Sequence, residues 1–216
     1  MTSTLPLADT RDMIGLHRVF RDALATPYVA PVADGDAVRV EVVGTYLDNV
    51  LRLLHSHHEA EDALMTPRLV ERCTLEEAAV VLDIAEMHKD VGDDLSALEA
   101  ALDAWRATTH AHDRDEVVAL LARLGATLTA HLDREEREVL PIAARHINVA
   151  EWGELPAHGM RHFNGDKLWL VIGLIQEQMP PAAVALMEAH MPPPVLRMWE
   201  QPGRKMFSDF MVQLRS

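Results

Sequence analysis

The chain has 216 residues, 49% of them apolar and 25% charged, with a formal net charge of −14. These proportions fit one globular domain with a sizeable core, or one domain with a substantial C-terminal addition. An acidic balance without a basic stripe argues against nucleic acid or anionic membrane as a partner.

No run of about 18 uninterrupted apolar residues offers a membrane span. The opening MTSTLPLADTRD lacks a basic start followed by an apolar run, so it does not read as a secretory signal. Cys73 is the only cysteine. That excludes an internal disulfide and a thiolate-cluster metal site, and it fits a reducing cytoplasm. There are 12 histidines against 2 tyrosines, and the functional reading turns on where those histidines sit.

The elements read as helices throughout, because no segment shows sustained period-two alternation rich in Val, Ile, Thr and aromatics. The first helix is expected from near Asp9, with Asp12 in its first turn, to about Leu24. Thr26 to Asp36 (TPYVAPVADGD) carries two prolines and a glycine and is a loop. A second helix runs from about Ala37 to Glu71, with Pro67 bending or loosening its last turn. Thr74 and Glu77 form a T-x-x-E capping signature that opens a third helix to about Thr108. HAHD (His110 to Asp113) is the next turn, and Asp113 with Glu116 repeats the capping logic for a fourth helix to about His146. Four long helices on short connections, with no repeat of solenoid period, predict an all-α antiparallel four-helix bundle over residues 8–147. Beyond Val149 the helical pattern is cut by Pro156, Pro180–Pro181 and Pro192–Pro194. Residues 148–216 are expected as short helices packed on the bundle, since so few residues make a weak core alone.

A bundle helix buries a stripe that advances in steps of three and four. The second helix gives Val43, Leu47, Val50, Leu54, His57, Glu61 and Leu64. On the third the stripe is Val81, Ile84, His88, Val91, Leu95, Leu98, Leu102 and Trp105. The fourth supplies Val117, Leu121, Leu124, Leu128, His131, Glu135, Val139 and Ile142, and the first Met13, His17, Phe20 and Leu24. Each stripe is apolar except at one level, where His, or His with Glu, intrudes. Six ionisable groups in four core stripes are costly unless something pairs them.

Residues at one height of an antiparallel hairpin are equidistant in sequence from its turn. The His57–Glu61 pair centres on position 59, and its midpoint with His88 falls at 73.5, on the Cys73–Thr74 junction. The His131–Glu135 pair centres on 133, and its midpoint with His88 falls at 110.5, inside HAHD. Three helices thus deliver their polar residues to one layer. The midpoint of 17 and 59 is 38, several residues past the centre of the first loop, so that loop must climb along the bundle or the second helix must overhang.

The i,i+4 spacing of His57–Glu61 and His131–Glu135 puts each pair on one helix face. Imidazole with carboxylate suits Fe, Zn, Mn or similar ions better than Mg or Ca. Four histidines and two bridging carboxylates would leave room on two octahedral ions for a bridging oxygen species and small exogenous ligands. A centre left open in this way binds something or does chemistry.

His17, HSHHEAED (His55 to Asp62), His88 in AEMHKD and HLDREE (His131 to Glu136) resemble the hemerythrin-like HHE cation-binding domain, as found in bacterial members of that group. The resemblance covers roughly residues 8–147. It implies a four-helix bundle with a non-haem di-iron centre, oxo- or hydroxo-bridged, with bridging Glu61 and Glu135 and terminal His17, His57, His88 and His131. It also implies reaction with oxygen, peroxide or nitric oxide, or sensing of iron and oxygen. The sequence departs from the oxygen-carrying branch, which has His-x-x-x-His on the third helix. Here Ile84 stands four residues before His88, and the last helix carries Glu135 at i+4 instead of an Asp at i+5. One terminal ligand is missing unless His58 supplies it, which argues against simple reversible oxygen carriage.

His58 is either a seventh ligand or a residue at the edge of the stripe in surface contact with Asp62. Glu59, Glu136 and Glu138 read as a solvated face. His158 and His162 have ligand-like spacing but no carboxylate in register, and are assigned a surface or packing role. His55, His110, His112, His146 and His190 read as exposed or turn residues, and Met191, Met198, Met206 and Met211 as packing. The leading functional expectation is a cytoplasmic di-iron protein that binds a small oxidant and, if catalytic, turns it over, for example by decomposing peroxide. The alternatives are a non-enzymatic sensor of iron, oxygen or nitric oxide, and a redox-silent zinc or manganese bundle.

Overall fold

The computed structural model describes residues 6–25, 28–163 and 167–216, apart from the side chain of His162. Residues 1–5, which enter the reading of the N-terminus, and Thr26–Pro27 at the head of the first loop lie outside the described residues. The protein is an all-α, antiparallel four-helix bundle succeeded by short helices. The only extended pairing among the described residues is an isolated bridge between Leu7 and Asn148.

Helix α1 (Arg11–Ala25) has Asp12 in its first turn. Helix α2 spans 37–72, opened by Asp36, whose carboxylate accepts from the Arg39 amide at 3.0 Å. Helix α3 (Leu75–Thr108) begins with both halves of the Thr74–Glu77 capping box formed. Helix α4 spans 111–146, and here the structure corrects the sequence reading. The N-cap is His110, not Asp113. Asp113 lies within the helix and accepts a hydrogen bond from the Thr108 hydroxyl, tying the helix back to the end of α3 instead of capping it. The turn therefore shrinks to Thr109–His110, with Thr109 in the left-handed region at φ 57°.

The first loop does climb. About eight residues separate His17 from the end of α1, and about 22 separate the start of α2 from the centre of its His–Glu pair. At 1.5 Å per residue, the loop must travel roughly 20 Å along the bundle axis to bring the two level. It is fixed at the far end of the bundle, where the Gly35 amide donates to the Thr109 carbonyl (2.9 Å), the Ala111 amide to Asp34 (2.6 Å) and the Arg114 guanidinium to the Val32 carbonyl (2.8 Å).

The core is not continuous. Phe20, Leu54, Val91 and Leu128, one from each helix, belong to one buried apolar cluster. Met13, Met65, Ile84 and Val139 belong to a second. Between them sits a layer of histidine and glutamate.

After α4 come α5 (Val149–Gly159), α6 (Leu168–Glu177), α7 (Pro181–His190), α8 (Pro193–Met198) and α9 (Arg204–Arg215). Asn148 and Glu151 form a capping box at α5. Helix α6 (LWLVIGLIQE) is buried from Leu168 to Leu174, as a helix apolar on all sides must be. It packs against both α1 and α2 and is covered by α9. A Cβ on Gly173 would stand 2.2 Å from the Phe207 ring, so this crossing requires glycine. Trp169, Ile172, Trp199 and Leu214 join the same apolar cluster as Val43 and Leu47 of the bundle. No helix among the described residues is long and apolar enough to cross a membrane.

Candidate metal centre

Helices α2 and α4 share a pattern: His-x-x-x-Glu, an acid, four residues, proline. It runs from His57 to Pro67 and again from His131 to Pro141. In both the helix widens immediately after the histidine turn. Glu61–Met65 and Glu135–Val139 are π-helical, closed by bonds from the Thr66 amide to the Glu61 carbonyl and from the Leu140 amide to the Glu135 carbonyl. A proline inside an α-helix lacks its amide donor and collides with the carbonyl four residues back. Opening the preceding turn by one residue relieves that collision. Single π-turns of this kind are frequent at functional sites. The inserted residue rotates the remainder of the helix, so beyond Glu61 the buried positions are Met65 and Leu69, while the expected Leu64 is only half-buried. Pro67 thus acts on the turn that holds Glu61 instead of loosening the end of the helix.

The structure brings His17, His57, Glu61, His88, His131 and Glu135 into one layer and adds His58. Two overlapping groups form, His58/Glu61/His88/His131 and His17/His57/Glu61/Glu135, each with one potential ligand atom per residue and those atoms within 4.8 Å of one another. Glu61 belongs to both. Its Oε1 lies 3.3 Å from His57 Nε2 and its Oε2 lies 3.5 Å from His88 Nε2. Glu135 Oε2 stands between His17 Nε2 (3.4 Å) and His131 Nε2 (3.7 Å). His58 stacks on His88, with centroids 4.3 Å apart and planes 16° from parallel. It is buried, and Asp62 contacts His88 instead, so the surface-contact reading of His58 does not hold. Ile84, where the oxygen carriers have histidine, sits in the apolar layer above.

Nine buried atoms in the cluster lack a hydrogen-bond partner: Nε2 of His17, His57, His58 and His131, Nδ1 of His131, and both carboxylate oxygens of Glu61 and Glu135. An unsatisfied buried polar group costs about 1–3 kcal/mol. Converging lone pairs left in this state suit a bound cation.

The electrostatics agree. Burial, followed by the neighbouring imidazoles, holds His57 and His58 well below the ordinary histidine range. The same causes bring His131 down to about 3. Neutral imidazole is the metal-binding form. Burial, then the Glu135 carboxylate, pushes Glu61 well above the ordinary carboxylate range. A cation between the two carboxylates would remove that repulsion.

Sequence reasoning puts Glu136 on a solvated face. In the structure its Oε1 accepts from His17 Nδ1 at 2.9 Å and from Arg21 at 2.7 Å. Glu59 is partly exposed and has a partner, lying 3.3 Å from His158 Nε2, which supplies the carboxylate that the sequence did not place there. The side chain of His162 lies outside the described residues. His55, His110, His112 and His190 are exposed and His146 is half-buried against Glu77, all away from the cluster.

A four-helix bundle whose central layer is histidine and glutamate, in groups able to hold a metal ion, defines a metal-binding bundle protein. The family model described as the hemerythrin HHE cation binding domain matches residues 9–143, and the chain belongs to that family. No curated protein and no solved structure gave a significant match.

Proposed function

We propose that this protein is a non-haem di-iron protein that binds a small oxidant (oxygen, peroxide or nitric oxide). The observation that supports this best is the sharing of Glu61 between two donor groups, one oxygen toward each. A carboxylate placed in this way suits two ions side by side better than one. Five imidazoles and two carboxylates favour iron, zinc or manganese over magnesium or calcium. Iron, when bound, supplies one-electron chemistry toward the oxidant. The chain's own residues hold nitrogen and shared oxygen donors in place between apolar clusters above and below. No protein nucleophile is required.

Protein purified without added metal should carry about two irons per chain, and Glu61→Ala should lose most of both, because its carboxylate serves both groups. Zinc alone, or loss of only one ion in the variant, would overturn the reading. Sustained oxygen evolution from added hydrogen peroxide would assign turnover, whereas a single stoichiometric colour change would assign binding.

A sensing role is the second reading, favoured by where the C-terminal residues lie. Helix α5 packs along α2, and a Cβ on Gly159 would sit 3.6 Å from Ser56, the residue before ligand candidate His57. His158 contacts Glu59, between His58 and Glu61. A change in cation occupancy would be felt directly by these helices.

A further inference from the structure

Helices α1 and α4 pack together and leave a groove of about 220 Å³ between them. Its rim is formed by Ala25, Ala122 and Thr129, which are exposed, and its floor by Leu24, Leu121 and Leu128, which are buried. The groove follows the bundle axis and ends one turn from the histidine–glutamate layer. Arg21, at that end, follows His17 by four residues on α1, and Leu128 precedes His131 by three on α4. Both histidines are therefore roughly 5 Å further along the axis. They flank Glu135, whose Oε2 stands 3.4 Å from His17 Nε2 and 3.7 Å from His131 Nε2.

Gly125, midway along the groove, has no packing reason to be glycine. A Cβ there would meet nothing within 4 Å, whereas at Gly173 the Phe207 ring leaves no room. A glycine inside a helix is less stable than alanine, so the missing side chain weakens α4 and leaves the groove clear. At about 220 Å³ the groove falls below the roughly 300–1,000 Å³ of a site for a drug-sized ligand. A leucine floor of that size suits an apolar molecule of a few atoms. The α2–α3 seam of the layer is polar by contrast, since the His88 side chain is 10% exposed there and Asp62 holds its Nδ1 at 2.8 Å.

Resting on the oxidant-binding reading above, we propose that the α1–α4 groove is the port by which an apolar diatomic, oxygen or nitric oxide, reaches the layer. Leu128 is the inner gate, and Gly125 keeps the outer passage open. Hydrogen peroxide would have to shed its hydrogen bonds to cross the leucine floor, so this port selects against it.

The test is the rate of nitric oxide binding and release by the reduced, iron-loaded full-length protein, comparing the parent chain with Gly125→Leu, Gly125→Met and Gly92→Leu. A port is crossed on the way in and on the way out, so obstructing it raises both barriers equally. Each Gly125 variant should slow both rates about tenfold and leave Kd within about twofold of the parent's. Gly92 is also a helix-interior glycine whose Cβ would meet nothing within 4 Å, but it lies on α3 outside the groove. Gly92→Leu should therefore keep both rates. Parent-like rates in both Gly125 variants would overturn the proposal, as would a shifted Kd or equal slowing in Gly92→Leu. Leucine and methionine favour helix over glycine, so parent-like iron content and an unfolding midpoint no lower than the parent's exclude a disturbed fold. As a readout independent of iron, dissolved xenon should shift the Leu128 methyl resonances of the parent and not those of Gly125→Leu. Unshifted signals in the parent would also overturn the port. A parent chain that bound no nitric oxide would sink the oxidant-binding reading itself, and the port with it.

Discussion

Two neighbouring layers of the same bundle make a controlled comparison. Phe20, Leu54, Val91 and Leu128 lie three residues along their helices from His17, His57, His88 and His131, and all four are at most 1% exposed. His17, His57, Glu61, His131 and Glu135 are at most 6% exposed, and the His88 side chain is somewhat more open at 10%. Burial is therefore nearly equal, and only the chemistry changes. In the apolar layer, burial itself is the stabilising term, at roughly 25 cal/mol per Å² removed from water. In the polar layer, burial is a penalty, and a bound cation would offset it. One layer holds the bundle together unconditionally, whereas the other would make part of its stability conditional on an ion.

The largest expected contrast is the response of the metal-free protein to acid. His57, His58 and His131 have depressed folded values, so below about pH 6.5 the unfolded chain takes up three protons that the native state refuses. Glu61 has a raised value, so between about pH 4.5 and that value the native state holds one proton that the unfolded chain has lost. Three depressed histidines outnumber one raised glutamate, so the unfolded state takes up more protons and stability falls as the pH drops below 6.5. Urea unfolding at a series of pH values measures it. A flat profile would mean that the layer contributes nothing distinct from its apolar neighbour.

Next in size is Leu128→Ala, which should cost about 2–5 kcal/mol by leaving a cavity in the apolar layer. Its cation content should be unchanged, and denaturant midpoints together with metal analysis would show whether the two layers fail independently. The smallest effect belongs to His55→Ala. His55 is exposed and sits two residues before ligand candidate His57. Stability should change by less than about 0.5 kcal/mol, with no loss of metal. A larger loss would show that position along the helix matters more than the face.

The helices and the height of the polar layer are readable in advance because both rest on local rules. Helix period fixes which residues share a face, and the Thr74–Glu77 box marks where the chain reverses. Equal spacing from the reversals then puts His57, His88 and His131 at one level. The π-turns also leave a mark in the sequence, a repeated His-x-x-x-Glu with a proline six residues after the glutamate. A plain α-helical stripe ignores that mark, and so selects Leu64 where the widened turn buries Met65. The first loop's fixing at the opposite end, by Asp34, Gly35 and Arg114, has no local signal.

The chain by itself settled an all-helical bundle with a histidine–glutamate layer, since periodicity and capping act within a few residues. Contacts between helices decided the rest. His58 lies about 100° around the helix from His57, and whether that direction faces core or water depends on how closely α3 approaches. Asp62 and Glu136 come directly after glutamates of the layer and would be solvated on an isolated helix. Each finds a histidine only because a neighbouring helix carries one within 3 Å of its carboxylate. Side-chain reach across an interface is a property of helix separation and register, which no single segment encodes.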